Sequence, residues 1–199
     1  MISMETFLQD LVRATLALFI VVDPLGNVPI MISLTRHLPD DMRRKAFNTA
    51  SIVASAIAII IVLGGQQILN LFRIDMYSFM IAGGVLLILI SIKILIYGQW
   101  IEASTAREEV GAVPIAFPLL VGPGAITTLM VFHQTSGIVV TVVSVLLVMS
   151  LTRIVLRFID NIYRKLGRIG SDVVARLMAI FIAAIAVQFI IDGLRHSFP

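Results

Sequence analysis

Long runs of apolar residues, separated only by short polar clusters, are the feature that most constrains how this chain can fold. A run of about 20 apolar residues crosses the roughly 30 Å hydrocarbon core of a bilayer as an α-helix. Such runs lie at residues 6–33, 46–70, 76–97, 111–133, 138–158 and 173–194 of the 199-residue chain. They predict six transmembrane helices and leave little sequence outside the bilayer.

The composition agrees with a membrane protein. Apolar residues make up 59% of the chain and charged residues 14%, whereas an ordinary soluble domain has roughly 25% charged residues. Backbone amides inside a bilayer need internal partners, so only helices or closed barrels cross it. Because the runs lack the alternation of barrel strands, we predict an all-α integral membrane protein of the cell (inner or plasma) membrane, with residues 1–199 forming one domain.

The formal charge of +3 comes from basic residues beside the spans, and we predict no binding of nucleic acid. Four basic residues lie in the first connecting loop and several lie in and around the fifth, whereas the fourth loop has none. Because Lys and Arg concentrate in cytoplasmic loops, we predict that the odd-numbered loops are inside and both termini outside. The N-terminus lacks the basic region of a signal peptide, so we expect the first span to be retained.

The odd number of spans in each half of the chain predicts two inverted three-helix repeats. Three spans precede the third loop and three follow it, so repeat two (about 106–199) enters the membrane from the side opposite to repeat one (about 1–105). Each repeat opens with a span that prolines and glycines interrupt, so helices 1 and 4 are predicted to be discontinuous. Paired interruptions in inverted repeats are the best sequence indication of a transporter binding site near the midplane.

The first interruption has the sequence Asp23-Pro-Leu-Gly-Asn-Val-Pro29. Pro24 lacks an amide hydrogen and Gly26 tolerates backbone angles that other residues avoid, so the helix is predicted to unwind here. Asp23 before Pro24 is typical of an N-cap at the start of a new half-helix. A carboxylate held away from water can also exchange protons near neutral pH. The sequence leaves open whether Asp23 only caps the half-helix or also couples transport to protons.

The second interruption has the sequence Pro118-Leu-Leu-Val-Gly-Pro-Gly-Ala-Ile-Thr-Thr128. A half-helix that starts inside the membrane directs unpaired amides into its cavity and favours a carboxylate there. Unwound carbonyls and Asn27 can take an ammonium group, and the threonine hydroxyls can bind backbone or ligand. The two interruptions are therefore predicted to hold a small zwitterion. The candidate substrate-binding residues are Asp23, Pro24, Gly26, Asn27, Gly122, Pro123, Gly124, Thr127 and Thr128.

Other functions fit these residues less well. A channel needs a pore lined by polar or charged rings, and the spans carry few such residues. An enzyme is disfavoured because the spans offer no paired aspartates, Ser-His motif or His-Glu-x-x-His zinc site, and the absence of cysteine excludes thiol chemistry. We therefore predict no enzymatic activity, no metal site and no cofactor. An exporter of another small solute and a non-transporting membrane subunit, with the interruptions as simple kinks, stay open as alternatives.

The two interrupted segments, with the chain length and the six spans, resemble the signature of the MarC family of membrane proteins. The resemblance covers essentially the whole chain. It implies a secondary active transporter of small neutral amino acids such as glycine and alanine, like the SnatA-type members, which works by alternating access and is driven by a cation gradient. The implied partners are the amino acid, a proton or sodium ion and the lipid bilayer, while formation of a homo-oligomer stays open.

Overall fold

The computed structural model describes residues 4–35, 38–97 and 115–197, and these residues are helical apart from short turns. In chain order the elements are α1 (Met4–Val22), α2 (Val28–Thr35), α3 (Asp40–Leu71), α4 (Met76–Tyr97), a short π-helical turn α5 (Ile115–Leu120), α6 (Pro123–Arg157) and α7 (Ile159–Ser197). The described residues contain no strand, so the all-α prediction is confirmed for them. The predicted boundary between the two repeats, near residue 105, lies outside these ranges.

Four helices are long and apolar enough to cross a membrane: Asp40–Leu71, Met76–Tyr97, Pro123–Arg157 and Ile169–Ser197. Several membrane-spanning helices are thus confirmed, whereas the six spans and the inverted repeats stay predictions. Two features account for the difference. The 19 residues of α1 include Glu5, Asp10 and Arg13, which makes α1 more polar than an ordinary span. Helix α6 contains about the second half of the fourth predicted span and nearly all of the fifth.

A glycine breaks each of the two longest helices. Gly137 in α6 has φ 83° and Gly167 in α7 has φ 64°, backbone angles that glycine adopts more readily than other residues. Leu129, before Gly137, lines the same small apolar gap as Ser144, after it. A straight helix would separate these two residues by about 22 Å. The chain therefore turns back at Gly137, and residues 123–136 and 138–157 are two separate helical segments.

Helices α4 and α7 pack closely in antiparallel orientation. Gly84 faces α7, where an added Cβ would lie 2.7 Å from the Ala186 carbonyl oxygen. Gly193 faces α4, where an added Cβ would lie 2.8 Å from the Tyr77 carbonyl oxygen. Small residues let membrane helices approach closely enough for backbone contact. Glycine at both positions therefore lets the backbones of α4 and α7 come into close contact.

Contacts at the helix ends show which connecting segments lie on the same side. Arg43 Nη2, after the first loop, lies 2.8 Å from Asp160 Oδ2, at the fifth loop. The ring of Tyr77, after the second loop, stacks on that of His196 near the C-terminus, with centroids 4.7 Å apart. The 32 residues of α3 separate these two groups. The first and fifth loops therefore share one end of the molecule, and which end faces the cytoplasm stays a prediction.

Buried apolar residues form two clusters that meet near the two interruptions. One cluster contains residues of α1, α2, α3, α5 and α6, and the other is built mainly from α4 and α7. Val21, just before the first interruption, packs against both clusters, and so does Ile126, just after the second. The interrupted segments therefore lie at the junction of the two apolar cores, which is where a cavity forms.

Candidate functional site

The first interruption is a tight turn between α1 and α2. Asp23 has φ 42°, and its Oδ1 accepts a hydrogen bond of 2.9 Å from the Gly26 amide. The Asn27 side chain donates from Nδ2 to the Val22 carbonyl at 3.2 Å. In a continuous helix the Gly26 amide would instead bond the Val22 carbonyl. The two side chains thus satisfy the backbone groups that the break would leave unpaired.

Asp23 therefore caps the turn, while regular helix begins later than the sequence suggested. We expected a half-helix from Pro24, whereas α2 begins at Val28. The reason is that the Gly26 amide bonds the Asp23 side chain, while the Asn27 side chain bonds the Val22 carbonyl that a helix would use. Pro24 is buried inside this turn.

Gly26 provides the space that the Asp23 carboxylate occupies. A Cβ added at Gly26 would overlap the carboxylate and lie 2.7 Å from its Cγ. Only 5% of Asp23 is exposed, and one of its two carboxylate oxygens has no hydrogen-bond partner among the described residues. The glycine is therefore required by the position of a neighbouring acidic side chain.

The second interruption places the start of a long helix beside this turn. α5 ends at Leu120, and Gly122 follows in extended conformation as the N-cap residue of α6, with Pro123 in the first helical position. No side chain caps this helix start. The first backbone hydrogen bond of α6 runs from the Ile126 amide to the Gly122 carbonyl at 3.0 Å. The amides of Gly124 and Ala125 precede that bond and therefore have no intrahelical acceptor.

The two broken helices run antiparallel, and this brings their interruptions together. A Cβ added at Gly124 would lie 3.1 Å from Val21 Cγ1, at the end of α1. Ala14, two turns earlier in α1, lines the same apolar gap as Phe132, two turns later in α6. The chain direction is therefore opposite in the two helices, and the Asp23 turn meets the Gly122 turn.

A cavity of about 40 Å³ lies between the two interruptions. It has room for about three water molecules, at roughly 10–15 Å³ each. Asp23 and Asn27 line it from the first interruption, and Gly122, Pro123 and Gly124 line it from the second. The rest of the wall is apolar and consists of Val21, Leu87, Ile90, Ile94, Pro118, Leu119, Ala125 and Ile182. Five of the residues proposed from the sequence thus surround one space.

The remaining four predicted residues, Pro24, Gly26, Thr127 and Thr128, do not line this cavity. Thr127 Oγ1 donates to the Pro123 carbonyl and Thr128 Oγ1 to the Gly124 carbonyl, each at 2.9 Å. Such bonds to the preceding turn are common for threonine in helices. A Cβ added at Gly83 would overlap the Thr127 side chain, so this threonine also packs on α4. Both hydroxyls therefore support the helix start, and their role as substrate ligands stays a prediction.

Sequence reasoning missed the apolar wall of the cavity. Leu87, Ile90 and Ile94 form one stripe of α4, spaced three and four residues apart. α4 is apolar on every side, so periodicity could not show which stripe faces the cavity. The available signal was Gly83, one turn before Leu87, because a glycine marks the face where another helix approaches closely.

These features define a polytopic, all-α membrane protein in which two interrupted segments enclose one partly polar cavity. Residues 8–198 match the protein family described as MarC family integral membrane protein. The chain therefore belongs to the MarC family, as the resemblance of its two interrupted segments indicated.

Relatives of similar length occur in archaea and bacteria. The chain is 43% identical over 191 residues to a UPF0056 membrane protein of Archaeoglobus fulgidus, which covers 90% of each chain. It is 34% identical over 201 residues to the UPF0056 membrane protein MJ1677 of Methanocaldococcus jannaschii, covering 96% of this chain and 98% of the relative. The UPF0056 membrane protein YhcE of Escherichia coli is 32% identical over 197 residues, covering 92% and 91%. No solved structure matches the chain.

Proposed function

We propose that the protein is a secondary active transporter of small neutral amino acids of the glycine and alanine class, coupled to protons or sodium ions. The observation that carries this proposal is the shared cavity, where a carboxylate and a carboxamide face the uncapped start of α6. It agrees with what the MarC resemblance implies. The protein is proposed to act in the cell membrane as a transporter and not as an enzyme.

The two sides of the cavity are complementary to the two charges of an amino acid. Unpaired amides and the positive end of the helix dipole at Gly124 and Ala125 suit a carboxylate. On the other side, Asn27 uses its Nδ2 on the Val22 carbonyl, which leaves its Oδ1 as an acceptor. That oxygen and the second Asp23 oxygen suit an ammonium group, which only donates hydrogen bonds.

The small volume and apolar wall support a substrate with a small side chain. Leu87 and Ile90 from α4 and Ile182 from α7 contribute to the apolar wall of the cavity. The smallest amino acids need the least widening of this wall, whereas a charged side chain would meet only apolar groups there and lose its hydration. Glycine and alanine are therefore the preferred candidates.

Asp23 is the candidate for ion coupling. Among the described residues it is the one acidic side chain that lines the cavity, and none of them forms a hydrogen bond with its second carboxylate oxygen. Ionisable groups inside membrane segments are costly and typically serve ion or proton pathways. A proton or a sodium ion at Asp23 would neutralise the carboxylate and so favour one conformation of the turn over another.

We further propose six spans in two inverted repeats, with α1–α2, α3 and α4 in the first and α5 with 123–136, 138–157 and α7 in the second. The antiparallel pairing of α1 with 123–136 and of α4 with α7, which are the corresponding helices of the two halves, supports this division. The reversal of the chain at Gly137 supports the sixth span. In this arrangement alternating access is a rocking of one half against the other around the cavity.

Counterflow in proteoliposomes tests the function. Vesicles loaded with unlabelled glycine or alanine are expected to accumulate the labelled amino acid, with faster net uptake when a pH or sodium gradient is imposed. Protein-free vesicles are the control. Absence of counterflow for every neutral amino acid would overturn the proposal, and single-channel currents in planar bilayers would favour a channel instead.

A further inference from the structure

A second cleft, of about 490 Å³, lies at the end of the molecule that carries the first and fifth loops. It is bounded by the start of α3, the end of α6 and the start of α7. The lining residues are Arg44, Asn48, Arg153, Leu156, Arg157, Phe158 and Asn161. Three of them are arginines and none is acidic, so the cleft carries an excess of positive charge. We call it the arginine cleft.

Within the described residues, the arginines of the cleft form no ion pair with an acidic side chain. Arg43, the residue directly before Arg44 in α3, lies 3.0 Å from Asp40 and 2.8 Å from Asp160. Asp40 and Asp160 are therefore paired with Arg43 and not with an arginine of the cleft. Arg44, Arg153 and Arg157 form no ion pair and no hydrogen bond within the described residues. Three like charges thus converge on one cleft, an arrangement that an anion stabilises.

The donor groups of the cleft suit a phosphate. Planar guanidinium groups bind phosphate oxygens through two parallel hydrogen bonds, and arginine is preferred where that geometry matters. Asn161 accepts a hydrogen bond from Arg164 through Oδ1, which leaves its two amide donors for another acceptor. Asn48 adds a second carboxamide to the wall. The cleft therefore offers several donors to an anion with several acceptor oxygens.

The surroundings of the cleft favour a lipid as the source of that phosphate. Leu151 and Ile154 near the end of α6 and Phe158 directly after it are about half exposed and are spaced three and four residues apart. This exposed apolar stripe runs beside Arg153 and Arg157 from the cleft towards the middle of the helix. Acyl chains would lie along it when the headgroup is in the cleft. Basic pockets between membrane helices are known to take anionic lipid headgroups.

We propose that the arginine cleft binds the phosphate of an anionic phospholipid headgroup. A bound headgroup bridges α3, α6 and the start of α7, so it holds together two elements that lie on either side of the break at residue 158. The site is separate from the central cavity, and the proposal does not depend on the transported substrate.

Thermal unfolding of the purified protein in an uncharged detergent tests this site. The midpoint is measured during titration with dioctanoyl phosphatidylglycerol, with dioctanoyl phosphatidylcholine, and with sodium phosphate against sodium chloride at equal ionic strength. We expect a saturable rise with phosphatidylglycerol and a much smaller one with the zwitterionic lipid. Equal rises with both lipids would overturn the proposal.

Paired variants separate the cleft from general surface charge. The variant R153Q/R157Q removes two cleft arginines, whereas R73Q/R195Q removes the same charge from exposed positions at the other end of the molecule. We expect the half-saturating phosphatidylglycerol concentration to rise at least about tenfold in the first variant, because charge-assisted hydrogen bonds are lost, and to stay within about twofold in the second. Equal changes in both variants would contradict a specific site.

Two further arms keep the test decisive. If R153Q/R157Q does not fold, R44Q replaces it, because Arg44 is exposed on the first turns of α3, and an unchanged response of R44Q overturns the proposal. If inorganic phosphate alone gives the same arginine-dependent rise as the lipid, the anion site stands but the lipid assignment is overturned in favour of a soluble phosphate.

Discussion

The two interruptions break the helical backbone in different ways. The first uses side chains, because Asp23 bonds the Gly26 amide and Asn27 bonds the Val22 carbonyl. The second uses only backbone, because Gly122 and Pro123 start α6 without any side-chain cap. The first therefore supplies a titratable group and acceptors, whereas the second supplies a helix dipole and free amides. In the proposed transporter, this division of chemistry assigns ion coupling to the first interruption and carboxylate binding to the second.

The largest effect is expected from Gly26→Ala. The new Cβ would overlap the Asp23 carboxylate, so the carboxylate must leave both the Gly26 amide and its place in the cavity wall. We expect transport to fall to background and unfolding free energy to drop by about 1–3 kcal/mol, as for other overpacked sites. Uptake in proteoliposomes and denaturant unfolding measure the two effects.

Gly64→Ala is the matched control for this substitution. An added Cβ at Gly64, inside α3, would meet no neighbouring atom. It is expected to leave transport unchanged and to stabilise the helix by about 0.5–1 kcal/mol. Equal losses of transport in both variants would show that the space at Gly26 has no special role.

Asp23→Asn is expected to have the second largest effect, because it removes coupling and also replaces the carboxylate oxygen proposed for the ammonium group. Asparagine keeps an acceptor for the Gly26 amide but cannot carry a proton or bind a cation by charge. A pH difference of one unit can drive at most about tenfold accumulation per proton, since it is worth 1.36 kcal/mol. We expect accumulation to fall to the equilibrium level, while counterflow persists at a higher half-saturating glycine concentration. Unchanged gradient-driven accumulation would assign Asp23 to capping only.

A smaller, selective effect is expected from Ile90→Ala in the apolar wall. The substitution widens the cavity beside Leu87. Uptake of a larger neutral amino acid, such as valine, should therefore improve about tenfold relative to glycine, which is the discrimination that roughly one methylene group in an apolar pocket provides. Ile92→Ala, on the exposed side of the same helix, is the control. Competition assays with labelled glycine measure the ratio, which should stay constant in the control.

The smallest effects are expected from Thr127→Val and Thr128→Val. Each hydroxyl bonds a carbonyl of the preceding turn, and neither residue lines the cavity. Removing such a bond costs about 1 kcal/mol of stability and should change the KM for glycine by less than about threefold. A larger rise in KM, without loss of stability, would restore these threonines as substrate ligands.

The sequence predicted the interruptions because their cause is local. Proline has no backbone N–H to donate to a helix, and an aspartate before it can cap the next turn whatever the surrounding tertiary structure. The orientation of Thr127 was not predictable in this way, since its hydroxyl bonds either to the helix or to a ligand. The arginine cleft was also hidden, because Arg44 and Arg157 lie far apart in the chain and each fits a basic loop by itself.

The number of spans stays a prediction, because hydropathy and helix length lead to different counts. Hydropathy alone predicts six spans. Four helices are long and apolar enough to cross a membrane, because α1 carries three charged residues and because segments 123–136 and 138–157 both lie within α6. The apolar lining residues of the cavity could not be predicted from the sequence either. Helix α4 is apolar on all sides, and only its packing places Ile90 and Ile94 at the cavity.

The most direct test of the central claim, that the two interruptions together hold one small zwitterion, is competition against counterflow of labelled glycine. Unlabelled glycine and alanine should compete. Glycinamide lacks the carboxylate proposed to bind the α6 start, and N-acetylglycine lacks the ammonium group proposed to bind Asp23 and Asn27. Neither should compete, even at concentrations about 100-fold higher, because a loss of about 2.7 kcal/mol in binding free energy weakens affinity by that factor. Competition by either analogue at the concentrations at which glycine competes would contradict the claim.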